Sequence, residues 1–197
     1  SPMGVFQSLY EPGAKKRWSM PKEEDIIGCK IAAIDPFFLE ETQATAELCV
    51  KYNKSYVTID SKHDSYLHQH CAVNVVSKEC TESDGYKDKS IEEIYELLVA
   101  STDGLVIITS GGNDMIYGRK GQLMKRMKPF SVDVKSTLGA GDTFKAGCVY
   151  GLLHGMEDDE LVRFASACSA IAISRFPLPL NPPTLLEVNS LLENTKK

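Results

Sequence analysis

Nine consecutive residues, Ser136-Thr137-Leu138-Gly139-Ala140-Gly141-Asp142-Thr143-Phe144, combine two glycines, small neighbours and one carboxylate. A β-like run, 129–134, precedes them and a helix-like run, 144–154, follows. The glycines therefore fall where a strand turns into a helix. Small residues there let backbone N–H groups face outward at the positive end of the helix dipole, which makes a ready anion site. Asp142 is the odd member, because a carboxylate beside an anion hole repels phosphate. It makes chemical sense if it takes a proton from a nucleophile attacking that phosphate. The combination points to phosphoryl transfer onto a hydroxyl. The competing reading is a glycine turn with an N-capping aspartate.

Three more segments carry polar or small groups at places where a ligand could approach. Thr109-Ser110-Gly111-Gly112-Asn113-Asp114 follows an apolar run, with glycines for close approach and a hydroxyl on Thr109. A plain turn explains it equally well. Residues 164–174 are rich in Ala and Ser around Ser166, so a flat base or a packed sheet could lie close to that helix. His63, His68, His70 and Cys71 cluster, but their spacing fits no standard zinc pattern, and no metal site is assigned. Arg119, Lys120, Lys125, Arg126 and Lys128 form one basic run, read as a solvated hairpin. No Gly-x-x-x-x-Gly-Lys-[Ser/Thr] loop occurs.

These segments need a frame. Short apolar runs at 30–34, 55–60, 72–76 and 105–109 read as strands. Residues 40–52, 158–175 and 184–192 have helical spacing, and Ser90 with Glu93 forms a capping box ahead of Ile94, Leu97 and Leu98. Residues 114–129 read as a hairpin turning at 118–121. Strands alternating with helices imply an α/β fold: a doubly wound, mainly parallel sheet flanked by helices. Ligands in such sheets bind beyond the carboxyl ends of the strands, and polar or glycine residues follow Ile59, Val76, Ile108 and Val134. Residues 1–197 are read as one α/β domain, with 1–29 irregular or a remnant of a missing N-terminal part.

The composition is that of an ordinary globular protein, 43% hydrophobic and 25% charged. A net charge of −5 gives no support to a nucleic-acid partner. No apolar run is long enough for a membrane span, and the start does not read as a signal peptide. Six scattered cysteines without a Cys-x-x-Cys pair read as reduced core thiols, which places the chain in the cytoplasm.

Gly139-Ala140-Gly141-Asp142-Thr143-Phe144 resembles the second signature of the PfkB carbohydrate-kinase family, whose fold is ribokinase-like. The resemblance runs from about Lys30 to Leu192 and covers the C-terminal part of such a kinase, without its N-terminal strands, Gly-Gly signature or lid. It implies that Asp142 is the catalytic base and that the amides of Gly139, Ala140 and Gly141 form the anion hole. It also places nucleotide contacts at Ser77, Thr109, Gly111, Gly112, Asp114, Gly141 and Ser166. Ser77 and Ser166 stand where the family usually has Asn, Cys80 where it has Glu, and Ser136 where many members carry a cation-holding Asp. The implied reaction takes ATP and Mg2+ and phosphorylates a sugar or sugar phosphate; a homodimer is the assembly considered. The alternative is a nucleotide-binding or regulatory module without catalysis.

Overall fold

A computed structural model describes residues 19–195. The elements, in chain order, are α1 (Glu23–Gly28), β1 (Ile31–Ile34), α2 (Glu40–Lys51), β2 (Ser55–Ile59), α3 (Tyr66–Gln69), β3 (Val73–Val76), α4 (Lys78–Thr81), α5 (Ile91–Ala100), β4 (Leu105–Ser110), β5 (Asn113–Gly118), β6 (Lys125–Met127), α6 (Ala140–Leu153), α7 (Asp158–Ile173) and α8 (Leu185–Asn194). The strands form one six-stranded sheet ordered β1-β2-β3-β4-β5-β6. The first four strands are parallel and β4-β5-β6 are antiparallel. The four predicted strands, the hairpin and the capping box at Ser90 are all present.

The inner strands are apolar on both faces, as a sheet covered by helices on each side requires. Val57, Ile59, Val73, Val75, Leu105 and Ile107 point to one face, where Phe144 and Cys148 of α6 and Leu161, Val162 and Ala165 of α7 meet them. The alternate residues Val76, Val106 and Ile108 point the other way, onto Ile94, Tyr95 and Leu98 of α5. Each fully buried aliphatic side chain contributes about 1.5–3 kcal/mol. An exposed ion pair such as Arg126–Glu92 contributes about 0–1 kcal/mol, so packing dominates.

Two expectations are corrected. Residues 129–134 are not a strand. Pro129 has no N–H for a ladder, and Phe130 packs instead beside Phe164, Cys168 and Ile171 of α7. The following amides, Lys135 N and Ser136 N, both donate to Ile173 O at the end of α7, at 2.8 and 3.2 Å. So Val134 closes no strand, and α7 rather than the sheet holds the approach to the glycine turn. The opening is also not irregular throughout: Glu23–Gly28 is a short helix with Ile26 buried, while residues 1–18 lie outside the described part.

Arg119, Lys125 and Arg126 of the basic run are paired. Arg119 makes a two-pronged contact with Asp158, at 2.8 Å from Nε and 2.8 Å from Nη2. Lys125 Nζ reaches Asp159 at 2.7 Å and Arg126 reaches Glu92 at 2.7 Å. The hairpin is thereby pinned to the first turn of α7 and to α5. Among the described residues, no helix is long and apolar enough to cross a membrane.

Candidate active site

The glycine turn sits over the carboxyl ends of the parallel strands. Gly139 caps α6 with φ +80°, a conformation that side chains other than glycine rarely adopt. Gly141 lies on Ile59, the last residue of β2; a Cβ there would be 3.0 Å from Ile59 Cδ1. Helix α6 starts at Ala140, so Asp142 is its third residue and makes no capping hydrogen bond. The first helical bond runs from Thr143 N to Gly139 O at 2.9 Å. Ala140 N donates to Thr137 O at 3.1 Å. Among the described residues the amides of Gly139, Gly141 and Asp142 have no protein acceptor. They are the outward-facing donors of the turn, at the positive end of a 14-residue helix. The Asp142 side chain is 75% exposed beside them.

The neighbouring strand ends continue the same edge. Asp60 follows β2 with φ 50°, and its carboxylate Oδ1 accepts from Ser77 N, just past β3, at 2.6 Å. Burial pushes the Asp60 carboxyl up, against the hydrogen bonds from Ser77 that lower it; Glu79 raises it and Lys145 lowers it. The Ser77 hydroxyl accepts from Cys80 N at 3.1 Å and caps α4. Thr109 Oγ1 donates to Val76 O at 3.4 Å, linking the ends of β3 and β4. Gly111, with φ +59°, and Gly112 form the open turn between β4 and β5, with space within 4 Å of any added Cβ. Asp114 is exposed on β5. The structure thus gathers Gly139, Ala140, Gly141, Asp142, Ser77, Thr109, Gly111, Gly112 and Asp114 along one side of the sheet.

Ser166 is different. Its side chain is only 3% exposed, inside the packing of α7. Ser169, one turn on, is the residue that reaches the site: its Oγ donates to Ala140 O at 3.1 Å. Sequence reasoning also missed Asp35 and Lys145. Lys145 Nζ is bound to Asp35 Oδ1 and lies 3.7 Å from Asp142 Oδ1. Its place three residues after Asp142 on a helix was the one available signal.

Within the histidine cluster, His68 has a structural role. His68 Nδ1 accepts from Asn74 Nδ2 at 2.8 Å, so its proton is on Nε2 and goes to Leu98 O at 2.9 Å. Asn74 Nδ2 also donates to Ser61 O at 2.8 Å, which fixes the loop after Asp60. A cleft of about 860 Å³ opens along that loop, bordered by Pro36, Gln43, Asp60, Ser61 and Lys62; Asp142 is not among its walls.

An open helix start, an exposed carboxylate beside it and a parallel sheet beneath form the candidate site. Residues 36–182 match the pfkB family carbohydrate kinase. The chain belongs to that family. A 5-dehydro-2-deoxygluconokinase from Shouchella clausii is 33% identical over 103 residues, 52% of this chain and 31% of the relative. The fold matches that of ribokinase from Arabidopsis thaliana, solved with ribose and ATP, with TM-score 0.75 and 18% identity over 90% of this chain and 62% of the other. It also matches a ribokinase II candidate from E. coli in complex with ATP and Mg2+, with TM-score 0.74 and 14% identity over 88% of this chain and 61% of that one. The pfkB chain described here thus spans about a third of that curated relative and about three fifths of those two solved chains.

Proposed function

We propose that this chain is the nucleotide-binding and catalytic part of an ATP-dependent sugar kinase. The observation that carries the reading is the pairing of exposed Asp142 with the open amides of Gly139, Gly141 and Asp142 itself at the start of α6. A module that only bound nucleotide would have no use for a carboxylate beside its phosphate site. In this reading Asp142 takes the proton from an acceptor hydroxyl as its oxygen attacks the γ-phosphorus. The amides hold the phosphoryl oxygens while charge moves to the leaving β-phosphate oxygen. Ala140 contributes through its place in the turn, since its own amide is given to Thr137 O.

The nucleotide lies, in the same reading, along Ser77, Thr109, Gly111, Gly112 and Asp114, with α7 at its side. Ser166 acts there only by keeping the helix surface close, because its hydroxyl is buried. Asp60, Asp142 and the Ser77 hydroxyl present oxygen donors, the type that a hard cation takes. Mg2+ would neutralise the triphosphate against this acidic edge. The acceptor is a sugar or sugar derivative, in keeping with the family.

The test is ADP release by the full-length protein with Mg2+-ATP and a panel of acceptors that includes D-ribose and 5-dehydro-2-deoxygluconate. Acceptor-dependent ADP release that Asp142→Asn abolishes supports the kinase reading. Tight nucleotide binding with no acceptor-dependent turnover across the panel favours the binding-module alternative.

A further inference from the structure

Lysine is rarely buried unless it is paired, and Lys145 is only 7% exposed. Its partners come from distant parts of the chain. Asp35, the residue after β1, binds Nζ directly from 110 positions away. Asp142, one turn earlier on α6, stands 3.7 Å from the same nitrogen. One buried cation thus meets carboxylates from the end of β1 and from α6.

The backbone of Asp35 is anchored: its carbonyl oxygen accepts from Thr42 Oγ1 at 2.6 Å, which ties the turn after β1 to α2. Asp142 is held less closely. Its side chain is 75% exposed and makes no hydrogen bond among the described residues, so packing does not choose its rotamer. A base must come within about 2.6–3.2 Å of the proton that it removes, and a misplacement of about 1 Å can cost about a hundredfold in rate. Lys145 is the cation within reach of Asp142, and its own partner Asp35 stands on a backbone anchored by Thr42.

We propose that Lys145 is the positioning residue for Asp142, transmitting the anchored place of Asp35, just after β1, to the carboxylate of the base. The proposal rests on the kinase reading above. It makes the end of β1 part of the active-site frame, although no group of β1 need touch the nucleotide.

The test uses the full-length protein and whichever of D-ribose and 5-dehydro-2-deoxygluconate the wild type phosphorylates. Lys145→Met is expected to lower kcat by about ten- to a hundredfold while KM for ATP stays within about twofold, the pattern of a lost transition-state arrangement. The same change leaves Asp35 unpaired and lowers Tm. Asp35→Asn/Lys145→Met removes that charge as well. Recovery of Tm with turnover still depressed supports the positioning role; recovery of both shows that the pair only holds the fold together and overturns it. A crystal structure of Lys145→Met gives a readout independent of any acceptor: Asp142 is expected in a changed or multiple rotamer, and an unchanged Asp142 overturns the proposal. Asp142→Asn measured in parallel separates the two readings, since full turnover in that variant ends the kinase assignment of Asp142 whatever Lys145 does.

Discussion

Gly147 of α6 and Ala165 of α7 approach so closely that a Cβ on Gly147 would lie 2.7 Å from Ala165 Cα. The obstacle is backbone, not the end of a flexible side chain, so it can yield only if the two helices separate. One turn on, Gly151 meets Leu161 Cγ at 2.8 Å by the same construction. The two glycines let α6 and α7 lie together against the sheet.

Gly147→Val is therefore expected to cost about 1–3 kcal/mol, the usual penalty of overpacking. Gly112→Ala, where a new Cβ meets nothing within 4 Å, should stay within about 0.5 kcal/mol. Urea unfolding midpoints at equal m-values would check both. A silent Gly147→Val would show that the helices are less tightly opposed than described.

Gly139→Ala should act on both stability and binding. The backbone at φ +80° costs a side-chain-bearing residue about 1–2 kcal/mol. The new methyl also meets Leu178 Cδ2 at 2.7 Å, although that atom can move. If the turn relaxes to another φ, the Gly139 and Gly141 amides no longer point the same way. Calorimetric titration with Mg2+-ATP is expected to show at least tenfold weaker binding. Unchanged affinity would remove the turn from the phosphate site.

Asp142→Asn keeps the size of the side chain and makes no change to helix capping, since Gly139 is the cap. Turnover of the full-length protein should fall about a hundredfold or more, the scale of general-base catalysis. ATP affinity should stay level or rise, because repulsion between carboxylate and phosphate is removed. Tm is expected to hold within about 2 °C, as for a surface substitution. A large loss of Tm would return the aspartate to a structural role.

His68 predicts a pH effect on stability. Burial pushes its pKa below the ordinary 6.5, and nearby His63 adds to this, while the bond to Leu98 O opposes it. The unfolded chain therefore binds a proton at His68 more readily than the folded one. Its contribution is complete above about pH 6.5 and is lost as pH falls from there through the lower, folded value. Asp60 has the opposite sign, because its raised carboxyl makes the folded state take up a proton first. A comparison with His68→Gln isolates the histidine. The wild type should lose more stability than the variant between pH 7.5 and 5.5, by urea midpoints. Parallel slopes would mean that His68 titrates alike in both states.

Much of the frame was legible because its signals are local. The buried runs of β2, β3 and β4, and the Ser90–Glu93 box, depend on near neighbours in sequence. The glycine turn was legible for the same reason. The run 129–134 misled because β-branched residues beside a glycine turn suit a strand, yet the acceptor that its neighbours found was Ile173 O, some forty positions on. The Asp35–Lys145 contact is longer still in sequence and gives no pattern at all. Ser166 and Ser169 look interchangeable in an Ala/Ser-rich helix, and only the rotation of α7 against α6 decides that Ser169 meets Ala140 O.

The double acceptance at Ile173 O has a geometric consequence. Lys135 N and Ser136 N hang the leading side of the glycine turn from the last carbonyl of α7, and Ser169 holds its trailing side at Ala140 O. The turn is thus registered to about one turn of helix, from 169 to 173. Deleting one residue from the middle of α7 would rotate its end by about 100° relative to its start. The glycine turn would be carried around with it, while the sheet and the strand-end residues stayed in place. Helix α7 thus works as a gauge, setting the distance from the strand ends of β3 and β4 to the open amides at the start of α6.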